Sequence, residues 1–138
     1  MKTKIIISTL MLLFSIKTSF AQVTKLRTIT VNAQIIQENN TWSEWSPAID
    51  ISELVVLDFT KKRISVFTKE TQVYDIIKVL ENEKDENGGS VFSFRCMDQN
   101  GNYADVTLIK EFRDEVLNKY LLVELKENKL LYSLTDID

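Results

Sequence analysis

The chain has 138 residues, with 17 basic and 20 acidic side chains, one cysteine and no histidine. Without histidine, catalytic triads, His-based zinc sites and the commonest general base are excluded. A net charge of −3 disfavours nucleic acid and anionic lipid surfaces as partners. A single cysteine also rules out an internal disulfide, so stability must come from a packed core.

The first 21 residues have the composition of a secretory signal peptide. A basic start precedes an apolar run from Ile5 to Ile16. Ser19-Phe20-Ala21 then places small residues at the third and first positions before a predicted cleavage site. The run is shorter than the roughly 20 residues of a membrane span. We therefore predict cleavage after Ala21, an exported (periplasmic or extracellular) protein without membrane insertion, and one all-β domain over residues 22–138. Removal of residues 1–21, which contain three lysines and no acidic residue, changes the net charge from −3 to −6.

The first predicted strand runs from Arg27 to Gln37. Its apolar residues alternate with polar ones, which predicts a strand with one buried face formed by Ile29, Val31, Ala33 and Ile35. A polar loop follows over Glu38 to Thr41.

Both tryptophans and the only proline lie in Trp42-Ser43-Glu44-Trp45-Ser46-Pro47. The proline restricts this segment to a sheet edge, a strand end or a loop. The letters W-S-E-W-S match the box of class I cytokine receptors, but that family's box lies late in its domain and accompanies paired cysteines, so the chain is not assigned to it. Two roles stay open for Trp42 and Trp45. They plug one end of the core, or they form an aromatic rim that stacks on a ligand.

Two further strand segments follow, Leu54 to Thr60 and Arg63 to Thr68. A loop at Lys61-Lys62 predicts a hairpin in which Phe59 faces Ile64 and Leu57 faces Val66. From Gln72 to Glu83 the alternation changes phase. A β-bulge near Ile76-Ile77 would bring both Tyr74 with Ile76 and Ile77 with Val79 inward, whereas the alternative is a strand covered on both sides at its middle.

The acidic segment from Glu81 to Gly89 is predicted to be a hairpin loop, because it is polar and ends in two glycines. It resembles a calcium loop in part, but Phe94 occupies the position of the bidentate glutamate, so no metal site is predicted. An acidic surface that docks on a basic protein partner is one hypothesis for this region. Its members are Glu81, Glu83, Asp85 and Glu86.

The clearest hairpin lies between Val91 and Ile109. Asn100-Gly101 marks its turn, and a three-residue loop from Gln99 to Gly101 aligns the apolar faces better than the usual two-residue loop. This loop predicts that Phe94 faces Val106 and that Arg95 faces Asp105, among other cross-strand pairs (Phe92 with Leu108, Ser93 with Thr107 and Cys96 with Ala104). In that register Cys96 points inward, which favours a buried thiol over a reactive one.

The last segments are predicted as a short turn or loop over Phe112 to Asn118 and a third hairpin. In that hairpin the strands are Lys119 to Lys126 and Lys129 to Leu134, and a loop at Glu127-Asn128 places its apolar residues opposite one another (Leu125 with Leu130, Val123 with Tyr132 and Leu121 with Leu134).

Together these segments predict an antiparallel meander of about eight strands, folded as an up-and-down barrel or a strongly curled sheet, with a β-sandwich as the alternative. Barrels of this size are filled by side chains or hold one small ligand. The predicted fold resembles that of the lipocalins in its general arrangement of strands only, since no motif of that family is present.

The predicted function is a non-catalytic binding module for a small or carbohydrate ligand, held at the barrel mouth by Trp42, Trp45 and Tyr74. The alternative is an acidic interaction or inhibitor module of the cell envelope. No cofactor is predicted. Asp58 and Asp75, the acids embedded in apolar strands, leave a carboxylate-dependent hydrolase as a minor alternative.

Overall fold

Nine β-strands make up most of residues 23–137, the part of the chain that the computed structural model describes. In chain order they are β1 (Val23–Ile35), β2 (Ile49–Asp50), β3 (Leu54–Asp58), β4 (Arg63–Phe67), β5 (Gln72–Lys84), β6 (Ser90–Met97), β7 (Tyr103–Arg113), β8 (Val116–Glu124) and β9 (Asn128–Asp136). The predicted signal peptide lies outside this range. Within residues 23–137 no helix is long and apolar enough to cross a membrane.

Eight of these strands close into an antiparallel barrel. Consecutive strands pair from β3 to β9, and β1 closes the sheet because it pairs with both β3 and β9. The short β2 is an additional strand beside β1. The predicted meander barrel is thus confirmed. Closure pairs the core part of the sheet on both sides, whereas the end of β5 beyond Ile76 pairs only with β6.

The alternating strand directions give the barrel two distinct ends. One end, which we call the pocket end, contains the start of β1, the end of β9 and the turns at residues 59–62, 85–89 and 114–115. The loop end carries the β1–β2 connection at residues 36–48 and the remaining turns.

Side chains fill the middle of the barrel. The buried hydrophobic residues come from every one of the eight barrel strands and alternate with outward residues along β3, β7 and β8, as a half-buried antiparallel sheet requires. Cys96 is one of them, as predicted. Burial raises the pKa of its thiol to about 12, so the thiol stays protonated at neutral pH.

The β6–β7 hairpin has the predicted register at every predicted pair. Asp98 and Asn102 flank the three-residue loop, with the Asp98 amide donating to the Asn102 carbonyl at 2.8 Å. Gly101 has φ of 80°, the left-handed conformation that glycine adopts at little cost. The Arg95 guanidinium is 3.0 Å from the Asp105 carboxylate.

The β3–β4 hairpin differs from the prediction. Leu57 faces Ile64, and the turn has four residues, Phe59 to Lys62, instead of two. The Asp58 carboxylate accepts a hydrogen bond from the Lys61 amide at 3.0 Å and so stabilises the longer turn. The predicted register was wrong by two residues, a shift that leaves every side chain on the same face.

The β8–β9 hairpin shows the same two-residue error. Val123 faces Leu130, and Lys126-Glu127 forms the turn, which the Leu125 amide closes by donating to the Asn128 carbonyl at 2.8 Å. The predicted loop over residues 112–118 is also wrong. Only Asp114 and Glu115 form the β7–β8 turn, with φ of 53° and 65°, the torsions of a tight type I′ hairpin.

Two predictions of buried faces are wrong in part. The register of β1 shifts between Thr28 and Thr30, so Thr28 is buried and Ile29 is exposed, whereas Val31 packs against the core as predicted. Ile35 has the parity of Val31 but is exposed at the end of the strand. In β5 the predicted bulge at Ile77 is confirmed, and a second register shift follows it. However, Ile77 and Val79 are exposed, because β5 continues past the start of β4 and its outer half pairs only with β6.

Candidate ligand pocket at one end of the barrel

An apolar pocket of about 340 Å³ opens at the pocket end of the barrel. Its lining comes from five strands and the turn that follows β3, and consists of Thr24, Leu26, Leu57, Phe59, Phe92, Phe94, Leu108, Lys110 and Lys119. Four of these residues also belong to the buried core, namely Leu26, Leu57, Phe94 and Leu108. The pocket is therefore an unfilled extension of the core towards solvent.

The four-residue β3–β4 turn places Phe59 in the wall of the pocket. Phe59 continues the inward parity of Val55 and Leu57, but it lies beyond the last paired residue of β3. Its ring is tilted by 46° against that of Phe94, with centroids 5.9 Å apart, a favourable separation for an aromatic pair. Together with Phe92 these rings give the pocket an aromatic wall.

Two lysines lie on the inner face of the barrel at the rim of this pocket. Along β7 the inward residues run Val106, Leu108, Lys110, and β8 places Leu121 opposite Leu108 and Lys119 opposite Lys110. The next pair of the same parity towards the hairpin tip, Phe112 and Leu117, is apolar again, and both residues are exposed. The two lysines are thus direct cross-strand neighbours between two apolar pairs.

The charges at the rim do not balance. Lys119 has a side chain only 16% exposed, and its ammonium group forms an ion pair with Asp136 of β9. Within residues 23–137 Lys110 forms no ion pair. The pair therefore carries one positive charge more than its protein partners neutralise. Like charges placed directly opposite one another are also destabilising.

The predicted aromatic residues Trp42 and Trp45 lie at the loop end, in a segment that we call the strap (residues 42–53). The strap runs along the edge of β1 that β3 leaves unpaired. The Ser43 amide donates to the Ile35 carbonyl while the Ser43 hydroxyl accepts from the Ile35 amide, and Ser46 does the same for Ala33, all at 2.8–3.0 Å. The two serines therefore satisfy the edge of β1 as a paired strand would.

The structure does not bring the three predicted ligand-binding aromatics together. Trp42 is half-buried, with the Lys129 ammonium 4.5 Å from its ring centroid, whereas Trp45 is 42% exposed. Neither belongs to the core cluster or lines the apolar pocket. Tyr74 is buried inside the barrel, where its hydroxyl donates to the Gln72 side chain at 2.7 Å and burial raises its pKa. Ligand binding by these residues stays a prediction.

The predicted acidic surface is divided between a strand and a turn. β5 extends to Lys84, so Glu81 and Glu83 belong to a strand rather than to the predicted loop, and both are exposed. The Asp85 carboxylate accepts hydrogen bonds from the Asn87 and Gly89 amides, each at 2.8 Å, and so shapes the turn. Glu86 is exposed in that turn. Binding of a basic partner here stays a prediction.

The other predicted acidic residues, Asp58 and Asp75, make local contacts at the surface. Asp75 pairs with Arg63 at 2.8 Å, and Asp58 caps its turn. In the described part of the chain, no group of three or more histidine, cysteine or acidic residues is placed to hold a metal ion.

Sequence reasoning missed Lys110 and Lys119. Each lies two residues from a core leucine, Leu108 or Leu121, so strand alternation alone points it inward.

Comparison of the chain with protein-family models, curated proteins and solved structures finds no match.

Proposed function

We propose that this barrel is an exported, non-catalytic binding protein that holds a small apolar molecule in the pocket between Phe59, Phe94 and Leu108. The observation that carries the proposal is the apolar pocket itself, which continues the core and has a volume of about 340 Å³. Ligand sites are typically concave and apolar, with a few polar groups that orient the ligand. The signal-like first 21 residues support export.

The chemistry of the lining favours binding over catalysis. Its titratable side chains are two lysines, and among residues 23–137 no carboxylate that could act as a general base or nucleophile lines the pocket. The lining also favours an apolar ligand over a carbohydrate. Apart from the lysines, Thr24 is the one polar side chain that the described part of the chain contributes to the lining, whereas a sugar needs many hydrogen-bond partners.

The pocket volume sets the size of the ligand. A water molecule takes up roughly 30 Å³ in the liquid, so the pocket has room for about ten non-hydrogen atoms. At about 0.5 kcal/mol for each such atom, the binding free energy is about 5 kcal/mol, which corresponds to a dissociation constant on the order of 0.2 mM.

Filling the pocket should abolish binding. We expect 1-octanol, an uncharged probe of suitable size, to bind with a constant on the order of 0.1–1 mM. The change Thr24→Trp places a large side chain at the rim and should eliminate the binding heat in isothermal titration calorimetry, because Thr24 is exposed and can accept the bulk without unfolding the barrel.

Thr135→Trp is the matched control, since Thr135 is exposed on the outer face at the same end. This variant should bind 1-octanol as the unmodified protein does. Absence of octanol binding to the unmodified protein, or equal binding to the Thr24→Trp variant, would refute the proposal.

A further inference from the structure

We infer that the ligand is a single-chain amphiphile with a carboxylate head, whose head group binds Lys110 and whose alkyl chain fills the pocket. The inference rests on the proposed function and adds the ligand's charge and orientation. It follows from the order of residues of the same parity on β7 and β8: apolar Leu108 and Leu121 inside, then the lysine pair, then Phe112 and Leu117.

The position of Lys110 is unusual for a residue that carries a charge. Lysine normally extends its ammonium group into water, whereas Lys110 follows the inward parity of β7, lines the apolar pocket and is only half exposed. Phe112, the next residue of the same parity, is exposed near the tip of the hairpin, with its ring close to Gly88 of the β5–β6 turn. Because Lys110 lines the pocket, an anion can reach it from the pocket side.

The charge balance specifies one negative charge on the ligand. Lys110, Lys119 and Asp136 together carry a net charge of +1, because Asp136 neutralises only Lys119. A carboxylate would bring this cluster to neutrality and relieve the repulsion between the facing lysines. A phosphate monoester, which carries close to two negative charges at neutral pH, would instead leave the cluster negative.

An alkyl carboxylate also satisfies both parts of the site. Its chain would replace water against Leu57, Phe94 and Leu108, a gain of about 0.8 kcal/mol for each buried methylene. Its head group would lie at the rim, where Lys110 can donate a charge-assisted hydrogen bond and solvent can reach the remaining oxygen lone pairs. A neutral ligand of the same length uses only the first of these interactions.

The test compares four eight-carbon probes by isothermal titration calorimetry at low salt: octanoate, 1-octanol, octylammonium and octyl phosphate. We expect octanoate to bind about ten-fold more tightly than 1-octanol, as one charge-assisted hydrogen bond would provide. Octanoate should also bind more tightly than octyl phosphate, and octylammonium should bind most weakly.

Lys110→Met removes the charge and keeps the length of the side chain, and Lys110→Gln provides a polar variant if the first fails to fold. In either variant the ratio of the octanol to the octanoate dissociation constant should fall from about ten to about one, because the charge-assisted hydrogen bond is lost. Lys25→Met is the matched control, because Lys25 is exposed on the outer face of β1 at the same end. It should leave the ratio unchanged.

Equal affinity for octanoate and 1-octanol would overturn the inference while leaving the proposed function standing. A preference that survives in the Lys110 variants, or tighter binding of octyl phosphate than of octanoate, would overturn it as well. Absence of binding by all four probes would reject the proposed function and this inference together.

Discussion

Replacing Leu121 with alanine is expected to lower the free energy of unfolding by about 3 to 4 kcal/mol. Leu121 is fully buried at the centre of β8, between Leu108 of β7 and Tyr132 of β9. Its removal loses apolar burial and leaves a cavity, because the flanking strands are held by their hydrogen bonds and cannot collapse into the space. A domain of this size is stable by about 5–15 kcal/mol, so the loss is a large share of the total.

Urea unfolding measures this effect directly, and the midpoint of thermal unfolding should fall by roughly 10 to 20 °C. The neighbouring Leu122 provides the control, since it points outward and is half-buried. Leu122→Ala should cost about 1 kcal/mol. Equal losses at the two positions would contradict the assignment of inner and outer faces on β8.

Replacing Thr28 with valine is expected to lower the free energy of unfolding by about 2 kcal/mol. Thr28 is buried at the bulge of β1, where the hydrogen-bonding partner along one edge of β1 changes from β3 to the strap. Its hydroxyl accepts a hydrogen bond from the Glu53 amide at 2.7 Å, and its own amide donates to the Glu53 carbonyl at 2.9 Å. Valine has a similar shape but leaves the Glu53 amide without that acceptor.

The loss should appear in urea unfolding, with faster hydrogen exchange at the Glu53 amide than in the unmodified protein. Thr135→Val makes the same chemical change at an exposed position of β9 and should shift stability by less than about 0.5 kcal/mol. Unchanged stability in the Thr28→Val variant would show that this hydroxyl does not join the strap to β1.

Strand alternation predicted the barrel and most of its inward faces, but it could not fix every register. A shift of two residues preserves the parity of each side chain, which is why the pairings of Leu57 and Val123 were wrong while their burial was right. The β6–β7 register was correct because Asn100-Gly101 marked the turn and the three-residue loop then matched the apolar faces of the two strands.

The pocket was harder to predict than the barrel. Prediction of the site relied on residue type and therefore selected Trp42 and Trp45, whereas the part of the strap that carries them lies at the loop end. Strand alternation from Leu108 predicts that Lys110 points inward. The position of Lys110 at the rim of the pocket, however, depends on barrel closure and on β7 continuing past the end of the core. Neither property follows from local pattern.

The most direct test of the proposed pocket is to locate bound octanoate by NMR with methyl-labelled leucine. We predict intermolecular contacts and chemical-shift changes at the methyl groups of Leu26, Leu57 and Leu108, with Leu125 and Leu130 of the loop end unchanged. The reverse pattern, with the changes at Leu125 and Leu130, would contradict the assignment of the ligand to the lysine-rimmed pocket.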